Sequence, residues 1–220
     1  VTRNARKIAN VPHTLPAAVD VHVRGEVVMP LSVFESKYKD VSPNPRNLAA
    51  GALRQKHADG KADASDLVSQ AYDAKLPQGD DRHPNSDPVP DMVNDTDLLV
   101  WMEDTLGIVP APWEVHEAAT PAQTAHLMDK STEDWTLKRS EYPYEIDGVV
   151  FKLDDLAGRE QLGMTGTSYA SILLFFLPLF FGTMNRTISP NMAIGFLHDM
   201  PVTLRCAVFP SVSYTHLRAH

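Results

Sequence analysis

Residues 145–152 read Glu-Ile-Asp-Gly-Val-Val-Phe-Lys, and this stretch decides the fold because it carries a clear strand pattern. Successive side chains of a strand point to opposite faces, so the pattern predicts a strand over residues 144–153. Lys152 closes a face that is otherwise apolar, whereas Asp147 lies on the other face. A lysine at such a position either extends past the core to solvent or points at an anion in a pocket. The sequence leaves both interpretations open.

A second strand with charge in its interior is predicted around Val-Arg-Gly-Glu-Val at residues 23–27. Valines alternate with polar residues from position 19 onward, which indicates one face in the core and one polar face. Arg24 and Glu26 would share the polar face, either as a solvated ion pair or as part of a site. Gly25 lies between them, where a missing side chain would let a ligand approach the backbone closely.

The segment between these strands predicts helices and one long loop. Apolar residues from Leu98 to Leu106 have helical spacing, and Gly107 is placed to end that helix. Thr120-Pro121-Ala122-Gln123 predicts the start of another helix that reaches about Asp129 or beyond. Residues 76–97 are rich in proline and aspartate and predict a loop. Helices and strands without a regular βαβ alternation indicate an α+β fold with antiparallel sheets.

Composition sets limits on the class of protein. The 220 residues suffice for one domain, or for one domain and a piece of another. The net charge of −8 would repel nucleic acid unless the basic residues cluster on one face. Cys206 is the single cysteine, which excludes a disulfide within the chain and a cysteine-rich zinc site. This count predicts that the protein is located in the reducing cytoplasm. The N-terminal residues show no signal-peptide pattern.

A break in composition is predicted near residue 166. Of the 28 acidic residues, only Asp199 lies beyond residue 160, and residues 172–181 are apolar. As a helix they would span about 15 Å, half of a bilayer core of roughly 30 Å, and Pro178 interrupts them. The stretch could be a membrane helix, a buried strand or helix, or an out-of-frame tail. We favour the tail, because residues 212–220 look like a translated sequencing adaptor, and we predict residues 167–220 to be aberrant.

Five short segments in a fixed order resemble the adenylation domain of bacterial NAD-dependent DNA ligases. These segments are Arg24–Glu26, Asn44–Asn47, Ala49–Gly51, Leu53–Gln55 and Asp147–Lys152. The resemblance covers residues 1–166 and implies an incomplete nucleotidyltransferase domain of ATP-grasp-like fold. It also implies NAD and Mg²⁺ as cofactors, nicked duplex DNA as partner, and a role of the parent enzyme in DNA replication and repair.

The resemblance implies a role for individual residues in nucleotide binding. Glu26 would hold the ribose of the nucleotide or a magnesium-bound water. Lys152 would lie near the adenine and neutralise the α-phosphate, and Arg24 would support this site. Nucleotidyl transfer generally requires a cation that stabilises the negative charge on the transferred phosphate.

A second set of implied roles concerns DNA. Arg46 and Arg54 would contact the nicked DNA or the transferred adenylate, and Asn47 would brace the loop. Asp147 would orient neighbouring backbone or arginine groups. Arg46 as an ordinary surface arginine is the alternative.

Some parts of the family pattern fall outside the sequence. The resemblance places the nucleophilic lysine, in a Lys-x-Asp-Gly motif, upstream of Val1, and Phe176 stands where a second phosphate-binding lysine is expected. The cysteine zinc site of the family has no match, so no metal ligands are predicted in the chain. We therefore expect a monomeric, cytoplasmic fragment with no membrane partner that is inactive by itself.

Three other functions are weighed against this interpretation. An ATP-dependent nucleotidyltransferase of the same superfamily would lack the Asn-Pro-Arg-Asn stretch. A non-catalytic, nucleic-acid-binding remnant would also lack both lysines, and only the flanking sequence separates it from a truncated enzyme. A plain acidic interaction module would not bind DNA in a salt-dependent manner.

Overall fold

A computed structural model describes residues 1–56, 60–76 and 86–162, with the side chains described through residue 160. Beyond these it describes the backbone of five short strand segments, at residues 164–165, 168–169, 172–176, 202–210 and 215–216. In the described ranges no helix is both long and apolar enough to cross a membrane.

Helices and strands alternate irregularly along the described residues. The helices are α1 (Thr2–Ala5), α2 (Leu31–Val33), α3 (Pro45–Arg54), α4 (Asp95–Leu106), α5 (Pro121–Lys138) and α6 (Leu156–Leu162). A π-helical turn, Phe34–Tyr38, continues α2, and 3₁₀ turns occur at Ala64–Asp66 and Arg139–Glu141. The strands are β1 (His22–Val28), β2 (Val68–Lys75), β3 (Trp113–Ala118), β4 (Ile146–Leu153), β5 (Met164–Thr165), β6 (Ser168–Tyr169), β7 (Ile172–Phe176), β8 (Val202–Pro210) and β9 (Thr215–His216).

The strands form antiparallel sheets, as the sequence predicts. The described strand orders are β2-β1-β9, β3-β8-β4-β7 and β5-β6. The mixture of helices with antiparallel sheets confirms the α+β prediction. Within it, β4 begins at Ile146, two residues later than expected, and ends at Leu153 as predicted.

Strands β7 and β8 flank β4 on its two sides. The backbone of residues 172–176 pairs with β4 from Gly148 to Lys152, and β8 pairs with both β3 and β4. Of the interpretations of the apolar stretch, a strand therefore applies to Ile172–Phe176, while residues 177–181 lie outside the described residues. The division of the chain near residue 166 stays a prediction.

Strand β1 differs from the sequence prediction in one respect. It begins at His22 rather than near Val19, and its polar positions are not equally solvated. Glu26 is 1% exposed, whereas the side chain of Arg24 is 34% exposed. Of the two interpretations left open for this polar face, the solvated ion pair does not apply to Glu26, because its side chain is buried.

Gly25 is required by a neighbouring strand. A Cβ atom at this position would lie 2.7 Å from the carbonyl oxygen of Gln70 and 3.2 Å from the Cα of Ala71, both in β2. The predicted approach of a ligand to Gly25 is therefore wrong for this face of the residue, because the backbone of β2 occupies the space.

The two predicted helices are confirmed as α4 and α5. Gly107 adopts the left-handed conformation, with φ of 67°, that ends α4. The Thr120 side chain accepts a hydrogen bond from the Gln123 backbone and caps α5. The predicted loop is too long at its end, because Asn94 and Asp97 form a capping box and α4 begins at Asp95. Residues 77–85 of that loop lie outside the described residues.

The buried core is divided among helix–sheet contacts. Apolar residues of α3 pack with Ile8, Val27 and Leu67, and apolar residues of α4 pack with Val21 and Ala71. A third cluster joins α5 to β4 through Met128, Trp135, Ile146, Val149 and Phe151.

Candidate functional site

Lys152 is buried at the end of β4. Its side chain is 2% exposed, so the interpretation as a lysine reaching solvent is wrong. The ammonium nitrogen donates a hydrogen bond to the carbonyl oxygen of Tyr72 at 3.0 Å. It also lies 5.7 Å from the centre of the Tyr72 ring, within the range of a cation–π contact.

Tyr72 occupies an irregularity in the β1–β2 ladder. Arg24 is opposite Asp73, and the next residue, Gly25, is opposite Ala71, so the register passes over Tyr72. A bulge of this kind leaves the extra residue outside the regular pairing and is common beside functional sites. Here it directs the Tyr72 carbonyl toward β4, where Lys152 binds it.

Two carboxylates face the Lys152 ammonium. Oδ1 of Asp73 lies 3.5 Å and Oδ2 of Asp95 lies 4.0 Å from Nζ. Arg159 of α6 contacts the same two side chains, donating a hydrogen bond to Asp95 and lying 3.7 Å from Asp73. Arg24 completes the group at 3.6 Å from Oδ2 of Asp73. We call these five residues the Lys152 cluster; it contains three cations and two carboxylates.

Hydrogen bonds at the start of α4 hold Asp95 in place. The Asp95 backbone N–H donates to the carbonyl of Asp154 at 2.7 Å. The Asp154 carboxylate accepts from the backbone and the hydroxyl of Thr96 at 2.9 and 3.0 Å. Since Asp154 follows β4 directly, these bonds tie the first turn of α4 to the end of the strand that carries Lys152.

Four of the five residues of the Lys152 cluster line a cleft of about 420 Å³, and Lys152 itself is not among the lining residues. Arg24, Asp73, Asp95 and Arg159 all line it, as do the apolar side chains of Leu76, Val89, Met92, Leu98 and Leu156. Its rim is acidic, with Asp87, Asp91 and Glu160 exposed. The volume suits a small ligand. Arg24 and Arg159 in the lining favour a phosphate there, while the acidic rim opposes a highly charged anion.

Glu26 is two residues from Arg24 but does not line this cleft. Its Cα partner across the sheet is Gln70, also buried. The structure thus brings together Lys152 and Arg24 of the predicted nucleotide-binding residues, through their shared neighbour Asp73. Glu26 lies further along β1, on the other side of the bulge.

Arg46 and Asp147 form a separate contact. The Nη1 atom of Arg46 donates to Oδ2 of Asp147 at 2.6 Å, across 101 positions of sequence. Their side chains are 36% and 20% exposed. Asp147 lies at an irregularity in the β4–β8 ladder, between Ile146 and Gly148, which turns its side chain toward α3.

The predicted DNA-contacting residues all lie on α3. The Asn44 side chain caps this helix by accepting from the Asn47 backbone at 3.1 Å. Arg46 and Asn47 lie in its first turn, and Arg54 is its last residue, about 12 Å further along the axis. Asn47 and Arg54 are exposed, and the Nε of Arg54 donates to the Ala50 carbonyl at 3.1 Å.

Among the described residues, no group of three or more His, Cys, Asp or Glu side chains is arranged to hold a metal ion. The two carboxylates of the Lys152 cluster are each engaged by a lysine and an arginine. These carboxylates therefore form ion pairs with basic side chains of the protein.

Sequence reasoning missed four residues around Lys152: Tyr72, Asp73, Asp95 and Arg159. Aspartate is uncommon inside strands, so Asp73 in β2 carried a weak signal. Asp95 falls within the loop that the sequence predicts over residues 76–97. The sequence around Arg159 contains no pattern that indicates a site. Their contact spans 64 positions between Asp95 and Arg159, which no local pattern indicates.

The chain matches a family model described as the NAD-dependent DNA ligase adenylation domain over residues 1–170. It is similar to curated proteins named DNA ligase. One from Syntrophomonas wolfei is 37% identical over 180 residues, covering 76% of this chain and 24% of that protein. One from Shouchella clausii is 34% identical with 76% and 24% covered, and one from Psychrobacter cryohalolentis is 34% identical with 74% and 22% covered. The chain thus spans about a quarter of the length of these relatives.

Proposed function

The chain belongs to the family of NAD-dependent DNA ligase adenylation domains, and we propose that it is part of an enzyme that seals nicks in duplex DNA. In the proposed reaction a lysine of the parent enzyme attacks the α-phosphorus of NAD and releases nicotinamide mononucleotide. The adenylate then passes to the 5′-phosphate at a nick, and the 3′-hydroxyl displaces AMP. The parent enzyme would act in DNA replication and repair as a cytoplasmic monomer.

The buried ammonium of Lys152 is the observation that carries this proposal. A cation this far from water is costly to bury unless it serves a specific contact. It lies in a group with Arg24 and Arg159, which contact the same carboxylates. Cations grouped in this way would attract the phosphate of an adenylate bound in the cleft. The surrounding apolar side chains would exclude water and strengthen the contact.

We assign the remaining nucleotide contacts to β1. Arg24 lines the cleft and would face the phosphate. For Glu26 we keep the role that the family resemblance implies, a contact with the ribose or with water bound to a metal, although its side chain is buried and does not line the cleft. The side chain of Glu26 is a carboxylate. Proteins usually bind Mg²⁺ through one or two carboxylates together with phosphates of the substrate. When bound, the metal would offset negative charge on the transferred phosphate.

We assign DNA contact to the exposed side of α3. Arg46 and Arg54 would contact phosphates of the nicked strand or the transferred adenylate, and Asn47 would brace the start of the helix. Asp147 would hold the Arg46 guanidinium in a fixed direction through their ion pair. Phosphate contacts of this type make binding strongly dependent on salt.

The 220-residue polypeptide would not adenylate itself, since its sequence contains no Lys-x-Asp-Gly motif. We further propose that residues 1–166 carry the family function and that residues 167–220 form an unrelated tail. The aligned segment of Shouchella clausii DNA ligase can be replaced by residues 1–166, so that the relative supplies the rest of the enzyme.

NAD labelled in its adenylate phosphate then tests the proposal. The hybrid protein should acquire covalent label and seal a nicked duplex, while the 220-residue polypeptide should acquire none. Lys152→Ala should abolish labelling of the hybrid, and Lys39→Ala should not, because Lys39 forms only an exposed ion pair with Glu35. A folded hybrid without label, or full labelling of the Lys152→Ala hybrid, would contradict the proposal.

A further inference from the structure

The proposed function assigns no contact with the nucleotide to three residues of the Lys152 cluster: Asp73, Asp95 and Arg159. They come from β2, α4 and α6, and each is nearly enclosed, with side chains 12%, 0% and 3% exposed. All three line the cleft. Asp73 and Asp95 contact Lys152, and Arg159 contacts these two carboxylates. Their position raises the question of what they do to the lysine.

The ammonium of Lys152 needs compensation because it is out of contact with water. An ammonium has three N–H donors, and a buried one is stable only if acceptors or negative charges surround it. The carbonyl of Tyr72 accepts a hydrogen bond from the ammonium at 3.0 Å, and Asp73 accepts a longer one at 3.5 Å. A carboxylate oxygen of Asp95 lies 4.0 Å from the same nitrogen and adds negative charge.

Arg159 lies between the two carboxylates and holds each of them in a fixed position. Its two terminal nitrogens contact different partners, Nη1 with Asp95 and Nη2 with Asp73. A planar guanidinium fixes the direction of both partners at once, which an ammonium cannot do. Without it, two like charges beside each other would repel.

We propose that Asp73 and Asp95, bridged by Arg159, form a carboxylate seat that positions the Lys152 ammonium for the phosphate of the nucleotide. The seat rests on the proposed function for its ligand, but its effect on Lys152 does not. The carboxylates hold the ammonium in one place before a nucleotide binds. Asp73, Asp95 and Arg159 are positioning residues, since they act through Lys152.

The proton-exchange rate of the Lys152 ammonium tests the seat directly. The 220-residue chain is labelled with ¹⁵N in its lysine side chains, and ¹H–¹⁵N spectra of ammonium groups are recorded at neutral pH. Exposed lysines exchange too fast to be seen, whereas a seated ammonium should give a slowly exchanging cross-peak that Lys152→Met removes. Asp73→Asn and Asp95→Asn should each speed its exchange with water by about tenfold, the change expected for loss of one contact with a charged group.

Asp91→Asn is the matched control, because Asp91 is an exposed carboxylate of the same cleft. Its exchange rate should equal that of the unaltered chain. Asp95 is fully enclosed, so if Asp95→Asn does not fold, Asp73→Asn decides the question. A folded chain without the cross-peak, or equal exchange in Asp73→Asn and the unaltered chain, would overturn the seat.

Addition of AMP separates the seat from the proposed function. A seated ammonium that also contacts a phosphate should change its ¹⁵N and ¹H shifts as AMP is added. A cross-peak that depends on Asp73 but does not respond to AMP would leave the seat standing and count against the nucleotide site. A cross-peak that shifts with AMP but does not depend on Asp73 or Asp95 would support the nucleotide site and overturn the seat.

Discussion

Strand β4 carries charged residues near both ends, and the two ends differ in how they hold charge. At one end Asp147 makes an ion pair with Arg46 that is partly open to water. At the other end Lys152 is enclosed with two carboxylates and two guanidinium groups. Only five positions separate the two residues, so the difference arises from what packs around them.

The comparison shows that burial decides how much a charge matters here. Water screens the Arg46–Asp147 pair, so either residue can be lost at small cost. The Lys152 cluster is a set in which each member compensates the others, and removing one leaves charge out of reach of water. The exposed pair can exchange partners more readily, which is compatible with the DNA contact that we propose for Arg46. The enclosed cluster is suited to hold one arrangement.

The largest effect is expected from Asp95→Asn. This change keeps the shape of the side chain but leaves Lys152 and Arg159 with one carboxylate between them. Removal of one member of a buried ionic group typically costs about 3–5 kcal/mol. Unfolding by denaturant measures the loss, and Asp91→Asn, in an exposed position of the same cleft, should stay within about 0.5 kcal/mol of the unaltered chain. A cost for Asp95→Asn as small as that of Asp91→Asn would break the comparison.

A smaller effect is expected at the other end of β4. Arg46→Met, Asp147→Asn and the double variant form a cycle that isolates the energy of the ion pair. A pair this open to water should give a coupling energy of about 0.2–1 kcal/mol, reduced further by added salt. A coupling above about 3 kcal/mol, as in buried pairs, would mean that the two ends of β4 are alike.

The smallest effect is expected at a third charged site, where Asp66 accepts hydrogen bonds from Lys37 and Tyr38. Burial alone would raise the pKa of Asp66, but these two hydrogen bonds outweigh it and the pKa is lowered from its ordinary value of 3.8. A carboxyl group with a lowered pKa stabilises the fold above its unfolded pKa, and this contribution is lost as the pH falls through the folded pKa.

Asp66→Asn should therefore reduce stability at neutral pH and leave a shallower loss of stability below about pH 4. Unfolding curves for both chains at pH 7 and between pH 4 and 2 measure the change. A parallel pH dependence in the two chains would show that the Asp66 carboxyl is not shifted. Lys39→Met is the control for loss of a surface ion pair on the neighbouring helical turn.

The sequence was informative wherever a local pattern set the structure. The alternation that ends at Lys152 predicted β4, and Gly107 and Thr120 predicted the end of α4 and the start of α5. The family motifs predicted that Arg24 and Lys152 belong to one site, and the structure brings both into contact with Asp73. Period and capping depend on neighbours in sequence, which is why these features were accessible.

The sequence was uninformative where partners come from distant elements. The bulge at Tyr72 depends on pairing between β1 and β2, and no local pattern indicates which residue is passed over. Gly25 was assigned to ligand approach because the sequence does not show the Gln70 carbonyl beside it. The burial of Glu26 and the seat of Asp73, Asp95 and Arg159 follow from the packing of three separate elements.

The affinity of the chain for AMP tests the central claim, that the enclosed end of β4 is a phosphate site. Isothermal titration of AMP into the unaltered chain, Lys152→Met and Lys39→Met measures it. Loss of a charge-assisted contact should weaken binding by about tenfold or more for Lys152→Met, while Lys39→Met should match the unaltered chain. Equal affinity of Lys152→Met and the unaltered chain, or no AMP binding by the folded chain, would contradict the account.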